Sequence, residues 1–552
     1  MNADGMSLDE ILNGPYQYII PVFQRYYSWT KTNWRKLWQD IGELQDPEQP
    51  SPTHFMGALV FVPLKQPKQG PKAVPKLQVI DGQQRLLTMT MLLCALRNVA
   101  VEYKHLAIAE EINTFFLMRP KAGNERLRVF PRQLDREQYG NAITREAPSA
   151  DVIGECVVFF EGEIKKLPGA NTEEALQDLL ELLRSRLEFV GITLGDENPF
   201  QIFRSLNSTG VKLSEADLIR NFVFMNMDLD QQDAFDQQIW QPFERRFDYA
   251  KKKQGAELSS FFRFFLMKDG RYVPPAATFV SFEARYDGTG FDPITLVSEL
   301  QQNTDFYDII RGATQHHDNS VNQAFAKLRP LDSSTTNQLL MTLMQKNSQG
   351  TMSDADLAEA IELLAGFILR RLVCGESSRN YSRWFVSACS QLADEPLENL
   401  RAYLIGRGFP EDTRLERSML LYNLYKSGYA DAVLRALEGT HPHREPASLA
   451  QAQVEHIMPQ TLTQAWRDAL GSEAGRIHSD WLNTIGNLTL SAYNQHMGNK
   501  PFAEKSAIYN SSNIHITRAI AANYTAWGER EIQQRGAQLV QKAKEIWHGP
   551  NT

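Results

Sequence analysis

The stretch LQVIDGQQRLLTMTMLLCALRNVAVEY, residues 77–103, constrains this chain more than any other part of it. LQVI reads as a short strand, and the residues from Leu86 onward have the length and apolar density of a helix. Only Asp81, Gly82, Gln83, Gln84 and Arg85 separate the two runs. The strand must turn into a helix that starts at about Gln83, with five polar or flexible residues at the joint. A plain turn asks for an Asp and a Gly; it does not ask for two glutamines and an arginine behind them.

Two chemistries fit the joint. A helix N-terminus offers free N–H groups and a positive dipole end, so it favours anions. Arg85 adds a planar cation suited to phosphate oxygens, Asp81 offers oxygens to Mg2+ or a ribose hydroxyl, and Gly82 lets the backbone approach a ligand. Equally, Asp81 caps the helix and Arg85 pairs with a nearby carboxylate. The residues of the joint leave both open. The segment YIIPVFQRYYSWTKTNWRKLWQDI (18–41) shifts the balance, because it sets Gln24 and Arg25 among Phe23, Tyr26, Tyr27 and Trp29. Aromatic rings interleaved with Arg and Gln grip bases and backbone groups by stacking and amide hydrogen bonds. Trp34 and Trp38, four residues apart, read instead as a helix face packed into a core.

The chain has 552 residues, too many for one core, and roughly 150 residues per domain gives about two to four domains. No run approaches the ~20 apolar residues of a membrane span, and MNADGMSLDEILNG has neither a basic nor an apolar signal region. Cys94, Cys156, Cys374 and Cys389 form no zinc spacing and read as buried thiols of a cytoplasmic protein. A formal charge of −8 means that any nucleic-acid surface is local. Arg245-Arg246 with Lys251-Lys252-Lys253, and Arg370-Arg371, are such patches or else solvated helix faces.

Strands are expected at 54–62 (HFMGALVFV) and 77–80, joined by a Pro-, Gly- and Lys-rich hairpin loop. Residues 201–224 read as helix, turn, helix, with Ser214 to Asp217 as a capping box. The rest is largely amphipathic helix. The expected fold is α-rich and multidomain, with a small mixed sheet near the start and a hairpin near the end. The expected divisions are 1–235, a helical connecting region at 236–345, and a helical domain at 346–552 with a distinct core at 450–510.

IPVFQRYYSW, HFMGALVF, VIDGQQRLLTM and FRSLNSTGVKLSEADLIRN, in that order, resemble the DGQQR-type N-terminal domain of modification-dependent restriction endonucleases of the GmrSD and SspE types. That domain is related in fold to ParB and sulfiredoxin. The resemblance implies nucleoside triphosphate binding and hydrolysis, with GTP or ATP, around Asp81, Gly82, Gln83, Gln84 and Arg85. It also implies a pocket for nucleotide or modified DNA at Pro21, Phe23, Gln24, Arg25 and Tyr26, braced by Asn207 and by Asp217 to Asn221. Asp217 as a plain helix cap is the rival reading. No Walker-type phosphate loop is present.

Near the C-terminus, QVEHIMPQ (453–460) and IGNLTLSAYNQHMGNKPFAEK (485–505) carry the residue types that phosphodiester cleavage requires. Glu455 is a hard oxygen ligand and His456 a base that titrates near neutrality. Asn487 can pin a loop through its amide, Asn494 supplies a second oxygen ligand, and Lys500 and Lys505 can meet flanking phosphates. A lone histidine is more often a core residue; here it has company at matching spacings.

The pattern resembles an HNH nuclease of the ββα-metal class. Carried over, His456 is the general base, Glu455 a metal ligand for Mg2+ or Mn2+, Asn487 the structure-holding member of the catalytic set, and Asn494 the last metal-side residue. His496 is the rival for that final role. The zinc-binding cysteine pairs of many HNH domains are absent, so helices must hold the finger. The implied function is a modification-dependent, nucleotide-regulated DNA endonuclease of anti-phage defence. Its partners are double-stranded DNA and a nucleoside triphosphate, with homodimerisation open. The mark sensed is a phosphorothioate, favoured by an apolar rim at Pro21, Val22 and Phe23, or a glycosylated or hydroxymethylated cytosine. A ParB-like, nucleotide-switched DNA-binding protein without nuclease activity is the alternative, and RNA as substrate stays open.

Overall fold

A computed structural model describes residues 2–24, 26–44, 53–64, 74–121, 123–144, 151–195, 213–247, 255–286, 291–331, 333–441 and 447–550. It divides into two compact units, Met1–Ser259 with Phe279–Val297, and Ser260–Thr278 with Ser298–Thr552. The stretch 236–345 is shared between the two units.

The first unit is built on a six-stranded mixed sheet. Its strands are β1 (Asn2–Ser7), β2 (Gln17–Ile19), β3 (His54–Pro63), β4 (Lys76–Asp81), β5 (Val129–Phe130) and β6 (Leu187–Thr193), in the order β1-β6-β3-β4-β2-β5. β3 and β4 are the two strands legible in the sequence, and they pair antiparallel as the hairpin loop between them requires. β6 lies parallel to β3 on the other side and antiparallel to β1. β2 lies parallel to both β4 and β5.

The helix that follows Asp81 runs Gln83–Glu102 and is buried on nearly every face. Its apolar residues are distributed all round, so it is stable only when covered on all sides. Ile153, Val157 and Phe160 of the helix Val152–Ile164 belong to the same core. Trp34 is buried, and its indole N–H donates to the Tyr27 hydroxyl at 2.8 Å. The Trp38 ring stands 6.1 Å from Phe160. Both tryptophans therefore serve the core. Ser214 and Asp217 close the expected capping box on the helix Glu215–Met225, so Asp217 is a helix cap.

Among the described residues the second unit is helical apart from one strand pair, β7 (Gln453–His456) and β8 (Leu488–Ser491). Antiparallel register pairs Glu455 with Thr489 and His456 with Leu488. Trp466, Trp481, Trp527 and Ile532 from neighbouring helices and turns form the core beside the hairpin. Among the described residues no helix is long and apolar enough to cross a membrane.

The joint at Gly82 shows why the polar knot begins with glycine. Gly82 has φ +92°, and an added Cβ would stand 2.3 Å from Leu59 Cδ2 and 3.1 Å from the Ala58 carbonyl. Both the backbone angle and the space exclude a side chain. Gly82→Ala is expected to cost about 1–3 kcal/mol, read as a lower urea midpoint for the unit that contains the sheet.

Candidate active site

β7 ends on Glu455 and His456, consecutive residues whose side chains leave the strand on opposite faces. His456 is buried, with its ring edge-to-face on Tyr425 at 4.4 Å. Nε2 lies 3.2 Å from Asn483 Oδ1, and Nδ1 lies 3.3 Å from Gln460 Nε2. An amide oxygen only accepts and an amide nitrogen only donates, so the ring satisfies both neighbours as the neutral Nε2–H tautomer. Burial holds the imidazole below its ordinary pKa; the Asn483 contact opposes this, and the positive charge of Lys505 adds to it. A neutral ring with its lone pair on Nδ1 is the state a general base requires.

Glu455 is buried against a cation. Lys505 Nζ lies 2.7 Å from Glu455 Oε1 and 2.7 Å from the His456 carbonyl. Burial pushes the Glu455 carboxyl up and the Lys505 ammonium down, and their mutual contact opposes both shifts. The expectation that Lys505 meets a DNA phosphate is corrected here. Its side chain is 1% exposed, and its hydrogen bonds go to the strand that carries the acid and the imidazole. Lys500, at 48% side-chain exposure, remains open to a phosphate.

Asn487 is a brace with all its amide bonds made inside the protein. Oδ1 accepts from Met458 N at 2.7 Å and Trp527 Nε1 at 3.1 Å, while Nδ2 donates to the carbonyls of Met458 and Leu482. It holds the turn after β7 to the turn before β8 and offers nothing to a substrate. The helix Glu529–Ile546 adds Arg535, which donates to the carbonyls of Ile485, Gly486 and Leu488. That helix packs so closely that a Cβ on Gly486 would stand 2.2 Å from the Ile532 carbonyl.

Asn494 opens the short helix Asn494–Met497 and donates from Nδ2 to the Val454 carbonyl at 3.0 Å. Its amide thus lies against β7, one residue from Glu455. Asn494 Oδ1 is buried and accepts no hydrogen bond. An orphaned amide oxygen beside a carboxylate-bearing strand is a donor set that fits a hard divalent cation. His496, the rival, is exposed, its ring 6.5 Å from that of Tyr493. A second group of possible ligands, His316, His317 and Asp354, gathers within 4.8 Å on other elements. There His316 Nδ1 already accepts from Asp318 N and His317 Nε2 contacts Asp354.

In the first unit, Asp81 and Arg85 pair with each other at 3.1 Å, and Arg85 also donates to the Ala58 carbonyl. Arg85 Nε is buried without a partner. Gly57 and Gly82 both lie against the guanidinium, each at positive φ. Gln84 is committed to the chain, with Oε1 accepting from Ser28 N and Nε2 donating to the Tyr26 carbonyl. Gln83 is buried.

Gln24 likewise donates into the interior, to the Ile80 carbonyl at 2.7 Å. Pro21, Val22 and Phe23 are buried, so they form core and not an open apolar rim. Their segment is held by buried guanidiniums. Arg132 donates to the Gln24 carbonyl at 2.6 Å. Arg220 donates to the Val22 carbonyl at 2.9 Å while pairing with Asp236 and Glu244. Of the described residues of this set Tyr26 alone is half-buried; its phenol is raised by burial, with the charge on Asp217 adding to the shift. Arg25, Asn207 and Lys251 to Lys253 lie outside the described residues. Arg370 and Arg371 are buried, bonded to carbonyls of Trp547, Pro410, Arg407 and Gly408, so they are neither a phosphate patch nor a solvated face.

Asn483, Gln460 and Tyr425 were not legible as site residues. Gln460 and Asn483 stand four residues from His456 and from Asn487, and that proximity was the available signal. Tyr425 is remote in sequence and gave none.

Residues 8–224 match the N-terminal domain of the GmrSD restriction endonuclease family, and residues 399–542 match the C-terminal domain of the GmrSD restriction endonucleases. No curated protein matches the chain.

A buried ion pair loses more when one partner is removed than when both are. Lys505→Met is expected to cost roughly 3–5 kcal/mol, seen as a lower denaturation midpoint. Adding Glu455→Gln should recover a large part of that loss; a double variant no more stable than Lys505→Met alone would count against the pairing.

Proposed function

Given that the chain belongs to the GmrSD family of type IV restriction endonucleases, which cut modified DNA, we propose that it is a metal-dependent HNH nuclease gated by a nucleoside triphosphate. What carries this reading is one hairpin with Glu455 and His456 on one strand, Asn487 bracing its turns, and an unpartnered Asn494 oxygen against the same strand.

His456 acts as the general base, taking a proton from water at Nδ1 while Asn483 holds the opposite edge of the ring. Gln460 must release Nδ1 for this, a displacement within reach of a side chain at 3.3 Å. Lys505 keeps Glu455 ionised and facing the site. Glu455 and Asn494 would hold a divalent cation, Mg2+ or Mn2+ in keeping with two hard oxygen donors, which would supply positive charge for the scissile phosphate. Exposed Lys500 steadies a neighbouring phosphate.

The N-terminal unit binds and hydrolyses GTP or ATP at the strand-to-helix joint, with Asp81 and Arg85 as the side chains that meet the nucleotide. The Asp81–Arg85 contact must open or be shared for that to happen. An ungated nuclease would damage host DNA, so nucleotide and modified DNA together bias the active state, which requires unequal affinity for the two states.

Digestion of matched modified and unmodified plasmids with Mg2+ or Mn2+, across the four nucleoside triphosphates, tests the whole reading. His456→Ala is expected to lower cleavage roughly 100- to 10,000-fold and to leave nucleotide hydrolysis intact. Asp81→Ala or Arg85→Ala should remove nucleotide hydrolysis. Nucleotide-dependent DNA binding with no cleavage by the unaltered protein would leave a ParB-like clamp.

Protonation of Nδ1 removes the base, so cleavage falls as pH drops through the His456 pKa. Burial sets that pKa below the ordinary 6.5, so the acid limb of kcat/KM should have its midpoint below 6.5. Asn483→Asp places a carboxylate on the Nε2–H edge and should move that midpoint upward.

A further inference from the structure

His316 and His317 lie in the turn that leads into the helix Asn319–Leu328, and Asp354 opens the helix Asp354–Val373, which packs against it. One ligand atom from each of the three lies within 4.8 Å of the others. All three belong to the second unit, on elements other than the nuclease hairpin.

An exposed histidine–aspartate pair is by itself a surface contact of little worth. His317 Nε2 lies 2.9 Å from Asp354 Oδ2, with the side chains 74% and 33% exposed. Here a second imidazole joins the pair. The His316 ring stands 4.1 Å from that of His317, and the residue is 7% exposed. His316 Nδ1 accepts from Asp318 N at 3.1 Å, while Nε2 makes no hydrogen bond among the described residues and is not sealed from solvent.

Two amides hold the group from behind. Asn322 Oδ1 accepts from His316 N at 2.9 Å, and Asn322 Nδ2 donates to the His316 carbonyl at 2.8 Å. Asn347 Nδ2 donates to Asp354 Oδ1 at 2.8 Å, which leaves Oδ2 to His317. The Asn347 bond, with the two histidines adding to it, holds the Asp354 carboxyl below its ordinary range, against the opposing effect of burial. Hydrogen bonds of this kind orient metal ligands and set their charge.

Two imidazoles and a carboxylate are the donor set of a borderline-soft ion such as Zn2+, which takes three protein ligands and leaves a fourth position to water. Glu455 and Asn494 of the hairpin offer hard oxygens instead. We propose that His316, His317 and Asp354 bind one Zn2+ ion, which ties the turn before the helix Asn319–Leu328 to the start of the helix Asp354–Val373. The site does not rest on the nuclease chemistry and would survive the failure of that reading.

Tetrahedral bonds of ~2.0–2.2 Å set ligand atoms about 3.4 Å apart. His317 Nε2 and Asp354 Oδ2 therefore open by about 0.5 Å from their 2.9 Å contact to admit the ion. The exposed His317 side chain can make that movement, and its ring proton passes to Nδ1. His316 gives up its Asp318 contact. An ion on Nδ1 displaces that N–H, and an ion on Nε2 puts the ring proton on Nδ1 to face it.

Full-length protein, freed of metal with EDTA, provides the test. It is titrated with Zn2+ against a chromophoric chelator, and separately with Co2+ as a spectroscopic stand-in. One equivalent of Zn2+ is expected to bind at micromolar concentration, and Co2+ to give the intense visible bands of a four-coordinate site. The thermal midpoint should rise with Zn2+. His317→Ala removes an exposed ring and Asp354→Asn keeps the side chain's shape, so neither threatens the fold. Each should weaken Zn2+ binding at least about tenfold and suppress the rise in midpoint.

Uptake that needs millimolar Zn2+ means an adventitious ion only and overturns the assignment. So does micromolar binding that neither substitution weakens. Binding lost in Asn494→Ala but kept in His317→Ala places the ion in the nuclease hairpin instead.

Discussion

One buried ammonium organises the nuclease hairpin. Lys505 reaches from the helix Phe502–Asn510 to both the Glu455 carboxylate and the His456 carbonyl, so side chain and backbone at the strand end are set by the same cation. A charge taken out of water needs a partner of opposite sign and further hydrogen bonds to be tolerated, and this one has both. The contact orients the acid, adds positive charge near the imidazole, and helps keep that imidazole neutral.

Around this contact the hairpin is held by means that do not depend on zinc or disulfides. None of the four cysteines lies between residues 450 and 510. Asn487 ties the two turns together through both ends of its amide, Trp527 joins it, and Arg535 collects the carbonyls of Ile485, Gly486 and Leu488. Gly486 lets the helix that carries Arg535 come into backbone contact. The N-terminal unit uses the same device on a different segment. Residues 22–24 and 26–28 run outside any strand ladder, and buried backbone groups must be paired. Arg220, Arg132 and Gln84 take the carbonyls of Val22, Gln24 and Tyr26, while Asp135 and Gln84 accept from the N–H groups of Tyr27 and Ser28. Burial raises Asp135 to about 6, so the Tyr27 contact is made by a carboxyl that carries its charge only above that range.

Much of the architecture was legible. The strands β3 and β4, the long helix behind Gly82, the capping box at Ser214 and the tryptophan face at Trp34 and Trp38 each follow from residues close together in the chain. β1, β2, β5 and β6 were not singled out. Three of them are short or polar, and β6 (LEFVGIT) continues directly from the helix Glu173–Arg186, so no turn residue marks where it begins. The hairpin motif near the C-terminus was visible as EHI and GNLTL, but Tyr425 joins it from a turn with no sequence link to either.

By itself, the sequence determined which local conformations form and in what order the motifs come, because period, turn chemistry and capping act over a few residues. Only the tertiary structure decided which polar atoms are spent and which are left over. Hydrogen-bonding capacity is finite and is allotted among residues brought together from distant parts of the chain. Gln24, Gln84 and Lys505 carry the residue types of ligand contacts, yet the fold uses them to hold its own backbone and acids. Asn494 Oδ1 is among the buried side-chain atoms of the described residues that the fold leaves without a partner.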